Sequence, residues 1–182
     1  KKDSFLIGEI SGISAKNIPG WFKRFYKPGE EIAKIEDWDK KVDEIVKEAK
    51  NWDIGALSGI PSWMEVMLKR IIDYHQVENI HEIWPNLLIY TTGGVAFQPY
   101  EKSISQLLAR PIIVIDTYFA SEGFIAFQSR PETTSMKLIT DNGIYFEFVP
   151  LKPEYILEDG SLLPEAPALT IDEVEENKEY IL

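Results

Sequence analysis

Cysteine is absent from the 182 residues, which excludes disulfide bonds and thiolate nucleophiles and makes a reducing compartment, the cytoplasm, the natural expectation. Histidine is nearly absent. His75 and His81 are the two present, and neither stands with carboxylates at ligand spacing, so no transition-metal motif is expected. No uncharged apolar run approaches the ~18 residues of a membrane-spanning helix, and no signal peptide precedes the first apolar segment; a membrane partner is not expected. Positive charge is in deficit: 19 Lys and Arg against 30 Asp and Glu leave a net charge of −11. That balance disfavours nucleic acid as a partner, because polyanion binding relies on clustered Lys and Arg. No serine stands in a Gly-x-Ser-x-Gly setting, so a hydrolase elbow is not expected either.

What is there is enough apolar residue, 45% of the chain, for one compact core. Ile35, Trp38, Val42, Ile45, Val46, Ala49 and Trp52 recur at spacings of three and four, predicting a helix over 36–51 with that stripe inward. Residues 53–59 read as a short strand running into a glycine turn, and Pro61 suits the first turn of a second helix over 62–74. That helix is expected to place Trp63, Val66, Met67, Ile71 and Ile72 on one side. Apolar runs at 87–91 and 112–117 complete a strand, helix, strand, helix, strand alternation from 54 to 116, the signature of a parallel sheet with right-handed crossovers. Beyond Glu122 the period shortens to two. Segments 136–140 and 144–149 flank Asp141-Asn142-Gly143, predicting an antiparallel hairpin, since Asn-Gly accepts positive φ in a tight turn. The expected fold is therefore α/β: an irregular lead-in over 1–35, a mostly parallel sheet flanked by helices over 36–128, and a hairpin with an acidic, loop-rich segment over 129–182. Residues 151–182 hold nine acids against two lysines, a solvated surface interrupted by leucines. Thr170 and Glu173 have the spacing of a capping box.

Residues 112–123, Ile-Ile-Val-Ile-Asp-Thr-Tyr-Phe-Ala-Ser-Glu-Gly, carry the chemistry. A strand covered on both faces reads as unbroken Val and Ile, and in open α/β sheets ligands gather beyond the carboxyl ends of such strands. Tyr118, Ser121 and Glu122 are expected there. Glu122 is either a carboxylate for Mg²⁺ bridging nucleotide phosphates or an exposed turn acid; Tyr118 is either a stacking platform for a flat base or a strand-end aromatic. Upstream, Leu87-Leu88-Ile89-Tyr90 opens into Thr91-Thr92-Gly93-Gly94, where two glycines let a ligand approach bare backbone. The two exits are expected on one rim, forming one cleft. Ser11-Gly12-Ile13-Ser14-Ala15-Lys16 lacks the further glycines of a phosphate-binding loop. Lys16, Lys23, Arg24, Lys27 and Lys34 stand among Trp21, Phe22 and Tyr26 as either a solvated face or a surface for an anionic substrate.

These motifs resemble those of the adenylate-forming enzymes, whose pattern is Tyr-Gly-x-Thr-Glu preceded by a Gly-Gly loop. Tyr118-Phe119-Ala120-Ser121-Glu122 is closer still to the Tyr-x-Ser-Ser-Glu form of the auxin-responsive acyl acid amido synthetases and their bacterial relatives. Phe119 departs from the small residue the family places after the tyrosine. Gly59-Ile60-Pro61-Ser62-Trp63, Ile83-Trp84-Pro85-Asn86-Leu87, Thr92-Gly93-Gly94-Val95 and 142–150 resemble the bacterial members in the same order.

The resemblance implies the large N-terminal domain of such an enzyme, acting with ATP and Mg²⁺ on a small organic acid and an amino acid or other amine. It implies that Glu122 holds the metal, that Ser121 bonds the α-phosphate, and that Tyr118, Thr92, Gly93 and Gly94 hold adenine. Ser58, Gly59, Ile60, Phe97 and Phe127 would line the acyl side. The alternatives are an acyl-CoA ligase, or a catalytically inert folding or interaction module. The family's members are several times longer, so the chain is expected to be an internal part of one, inactive alone and prone to self-association through surfaces left uncovered.

Overall fold

The computed structural model describes residues 18–131 and 133–182; the Ser11–Lys16 segment lies outside them. Four helices are present among the described residues: α1 (Glu30–Ala33), α2 (Trp38–Glu48), α3 (Pro61–His75) and α4 (Gln98–Ser105). Asp37 starts α2 by accepting a hydrogen bond from the Lys40 amide at 3.0 Å, and a 3₁₀ turn over Ala49–Asn51 continues it. Of its expected stripe, Val42, Val46 and Ala49 are buried. Pro61 opens α3, and Gln76 ends it in the left-handed region at φ 53°. The buried face of α3 is Pro61, Met64, Leu68 and Ile71, and this corrects the stripe read from sequence: Trp63 is 51% exposed and Val66 is exposed as well. Trp63 instead meets the exposed Trp38 edge to face at 4.7 Å.

Five strands form one mixed sheet in chain order: β1 (Ala56–Ser58), β2 (Ile89–Gly93), β3 (Ile113–Ala120), β4 (Gly123–Phe127) and β5 (Lys137–Leu138). The first three are parallel, with Ile89 beside Ala56 and Ile113; β4 and β5 are antiparallel additions. The α/β architecture and the parallel centre therefore stand. Two details differ. The antiparallel hairpin is β3–β4, turning at Ser121-Glu122, and not 136–149. Asn142-Gly143 does turn, with Gly143 at φ 81°, but Asn142 donates its amide to the Phe124 carbonyl at 2.7 Å and accepts from the Ile144 amide. That anchor carries the chain across β4, and residues 144–147 leave the sheet.

The second difference concerns cover. Tyr90 and Leu57 join the core with Val42, Val46, Met64, Leu68, Ile71, Trp84 and Leu87, each large apolar side chain contributing about 2 kcal/mol on burial. The opposite face carries Ile89, Ile113 and Phe119, of which Ile113 is 38% and Phe119 57% exposed. Among the described residues the helices thus pack on one face of the sheet, and the run Ile112–Ile115 is not covered on both sides. A separate two-stranded ladder, β6 (Val149–Pro150) with β7 (Tyr180–Ile181), closes the C-terminal segment. Thr170 and Glu173 make half of a capping box: the Glu173 carboxylate accepts from the Thr170 amide at 2.7 Å and from its hydroxyl at 3.0 Å, while the Glu173 amide bonds the Thr170 carbonyl instead of the hydroxyl, closing a single turn that starts no helix. No helix among the described residues is long and apolar enough to cross a membrane.

Both histidines act as fasteners. His75 Nε2 bonds the Val46 carbonyl at 2.8 Å. His81, buried in the 3₁₀ turn Ile80–Glu82, bonds the Leu87 carbonyl through Nε2 and accepts from the Ala109 amide through Nδ1, both at 3.1 Å. One ring therefore ties the segment before β2 to the segment before β3. His81→Ala should lower unfolding free energy by about 2 kcal/mol, because the buried Leu87 carbonyl is left without this partner and the tie to the Ala109 amide is lost. A urea denaturation midpoint unchanged from wild type would refute that role.

Candidate functional site

The close approach of β2 and β3 at their carboxyl ends positions everything else. Gly93 stands in register with Thr117, and the Thr117 hydroxyl donates to the Thr92 carbonyl at 2.6 Å. A Cβ on Gly93 would lie 2.6 Å from Thr117 Oγ1 and 2.7 Å from its carbonyl oxygen, so no larger residue fits. Gly94 then turns at φ 84°, with Ile60 alongside. The exits of β2 and β3 are accordingly neighbours, pointing the same way.

β3, however, does not end at residue 117. It runs on to Ala120 and reverses through Ser121-Glu122. Tyr118 is thus within the strand, 48% exposed, and Ser121 with Glu122 forms the tip of a hairpin. At ~3.3 Å per strand residue the tip lies on the order of 13 Å beyond Thr117. Ser121 donates to Glu122 Oε2 at 3.1 Å, and both residues are exposed. Tyr118 pairs with Ala126 and Phe119 with Phe124, so Ile125 is an extra residue on β4. Such a bulge raises local twist and re-aims neighbouring side chains.

Strand alternation divides the remaining residues between the two faces. On the helix side are Tyr90, Thr92, Asp116 and Tyr118, with Phe97 meeting Tyr90 edge to face at 5.9 Å. On the uncovered side are Ser58 and Phe127, in register with Thr91 and Thr117, and Phe119 stacked on Phe124 at 4.6 Å. The structure therefore brings Gly59, Ile60, Thr92, Gly93, Gly94 and Phe97 together, and separates Ser58 and Phe127 from them across the sheet.

Two residues of this cluster were not singled out from sequence. Tyr90 is fully buried and donates its hydroxyl to the Gly59 carbonyl at 2.8 Å; burial pushes its phenol up to about 12, and the Asp116 carboxylate adds to the effect. Asp116, half-buried in register with Thr92, accepts from the Thr117 amide through Oδ1. Its signal was a lone acid at the end of an apolar run, two residues before Tyr118. Thr92 is 1% exposed, and its hydroxyl has no hydrogen-bond partner.

Glu122 is the carboxylate on the tip, and among the described residues no three His, Cys, Asp or Glu side chains gather to hold a metal by themselves. A single exposed carboxylate still fits Mg²⁺, which uses one or two carboxylates plus substrate phosphates and water. Beside α4 a hollow of about 300 Å³ is lined by Phe97, Ile104, Leu108, Ile112 and Val114. A larger one, about 610 Å³, lies among residues 150–152 and 169–180 and includes none of the candidate residues. The basic lead-in is engaged at its own surface: Lys23 pairs with Glu30, Arg24 covers the Phe25 ring and Lys27 lies over Trp52.

No family model matches the chain, and comparison with curated proteins finds no match.

The two glycines are required for different reasons and should respond differently to alanine. Gly93→Ala meets backbone as well as a side chain and should destabilise by about 3 kcal/mol. Gly94→Ala meets only ordinary contacts and carries the ~1 kcal/mol of a left-handed alanine. Chemical denaturation reads both, and equal losses would contradict the close approach at Gly93.

Proposed function

We propose that this chain supplies the nucleotide-binding part of an adenylate-forming ligase, in which ATP and a small organic carboxylate give an acyl-adenylate and pyrophosphate. An amine, for which an amino acid is the leading candidate, then attacks the acyl carbon and AMP leaves with the bonding pair. The observation that carries the reading is that β2 opens into Gly93-Gly94 beside the point where β3 runs on as an arm. That arm carries Tyr118, Ser121 and Glu122 at the spacing of the resembled motif.

Each residue has work suited to its setting. The half-exposed Tyr118 ring offers a face to adenine, and Gly93 and Gly94 present backbone without a Cβ in the way. The Ser121 hydroxyl, which donates to Glu122 here, turns to donate to an α-phosphate oxygen. Glu122 would hold Mg²⁺, and the bound metal neutralises charge on the phosphates. A tip some 13 Å beyond the β2 exit suits a ligand that is long and charged at one end, as a nucleoside triphosphate is. Alignment of the carboxylate with the α-phosphorus and stabilisation of the developing charge supply the acceleration. The uncovered sheet face favours a second reading, an inert folding or interaction module. An acceptor screen distinguishes an amine from coenzyme A in the second step.

Glu122→Ala should reduce ATP–pyrophosphate exchange by about a hundredfold, some 3 kcal/mol of charge stabilisation, measured in the whole polypeptide that contains these residues. The urea midpoint should stay near wild type, since an exposed turn acid supports few contacts. Undiminished exchange would remove Glu122 from the phosphate end.

A further inference from the structure

Gly59 belongs to the turn between β1 and α3, yet both of its backbone polar groups are bonded to β2. Its amide donates to the Thr91 carbonyl at 3.1 Å, and its carbonyl accepts the Tyr90 hydroxyl at 2.8 Å. The next residue, Ile60, has its Cγ1 3.7 Å from where a Cβ on Gly94 would stand. A displacement of Gly59 therefore moves Ile60 against the Gly93-Gly94 loop. A phenylalanine would fill the core at position 90 equally well and would avoid desolvating a phenol. The hydroxyl is thus explained by the bond it makes.

We propose that Tyr90 is a positioning residue for the acid half of the site, a role that rests on the ligase reading: its hydroxyl latches the Gly59–Ile60 turn to β2 and so holds Ile60 beside Gly94, while its ring meets Phe97.

The test combines amide hydrogen exchange with two ligands, AMP and 5′-O-(benzoylsulfamoyl)adenosine, both offered to the whole polypeptide, the second carrying an acylsulfamate in place of the acyl-phosphate. In Tyr90→Phe the Gly59 amide should exchange about tenfold faster while the Leu87 amide is unchanged. In the wild-type protein the Tyr90 hydroxyl proton should be observable by NMR with a cross-peak to Gly59, which keeps the latch testable if the variant folds poorly. Tyr90→Phe should weaken the acyl analogue about tenfold and leave AMP affinity unaltered. Unchanged Gly59 exchange in the variant, or the absence of that cross-peak, overturns the latch. Parallel loss of both ligands overturns the acid-half role and leaves Tyr90 a core residue. A whole wild-type polypeptide containing these residues that binds neither ligand overturns the ligase reading and the role together, and the exchange rates still decide the latch.

Discussion

The register of β2 on β3 depends on a contact too close for any side chain but hydrogen at position 93. Because Thr117 occupies the space a Cβ would need, and donates to the Thr92 carbonyl at that point, the two strands are locked at their carboxyl ends. One residue of slip would turn Tyr90 and Thr92 away from the core. The helix side, with Tyr90 on Gly59 and Phe97 on Tyr90, follows from that lock. So does the position of the hairpin, which continues β3 past the end of β2.

Sequence periodicity conveyed α2 and α3, the order of the parallel strands and the adjacency of their exits, since these are consequences of local pattern and chain connectivity. It did not convey which stripe of α3 faces inward. Trp63 and Leu68 are equally apolar in a pattern, and only the partner elements distinguish them. The hairpin was misplaced for a related reason: Asn142-Gly143 is a turn in its own right, but which strands it joins is decided by Asn142 reaching the Phe124 carbonyl, a contact 18 residues distant in sequence. An apolar run such as Ile112–Ile115 records tolerance of burial. It does not record whether cover is present on both sides.

The sequence placed Gly93 and Gly94 at the end of β2, where they stand, but put Tyr118 beyond the end of β3, whereas the strand runs on to Ala120 and reverses at Ser121-Glu122. The acyl set was drawn from resemblance, and alternation of side chains assigns Ser58 and Phe127 to the other face from Ile60 and Phe97. Tyr90 and Asp116 were missed because each reads as an ordinary strand residue until its register partner is known. A buried phenol raised to about 12 beside a half-buried acid has no signature in a linear pattern.

Past Gly93 the sheet thins to two strands, and residues 118–124 form a ribbon with no parallel neighbour on the β2 side. Two-stranded ribbons twist more than wider sheets, but this one is pinned at its base, where Asn142 bonds the Phe124 carbonyl at 2.7 Å and the Ile139 amide bonds the Ile125 carbonyl at 2.9 Å. The consequence is mechanical. Freedom is left to the exposed Ser121-Glu122 turn beyond those anchors, while Gly93 and Gly94 are clamped by Thr117. On the proposed ligase reading adenine would meet a rigid floor and the phosphates a compliant turn, whose ordering would carry much of the entropy cost of binding.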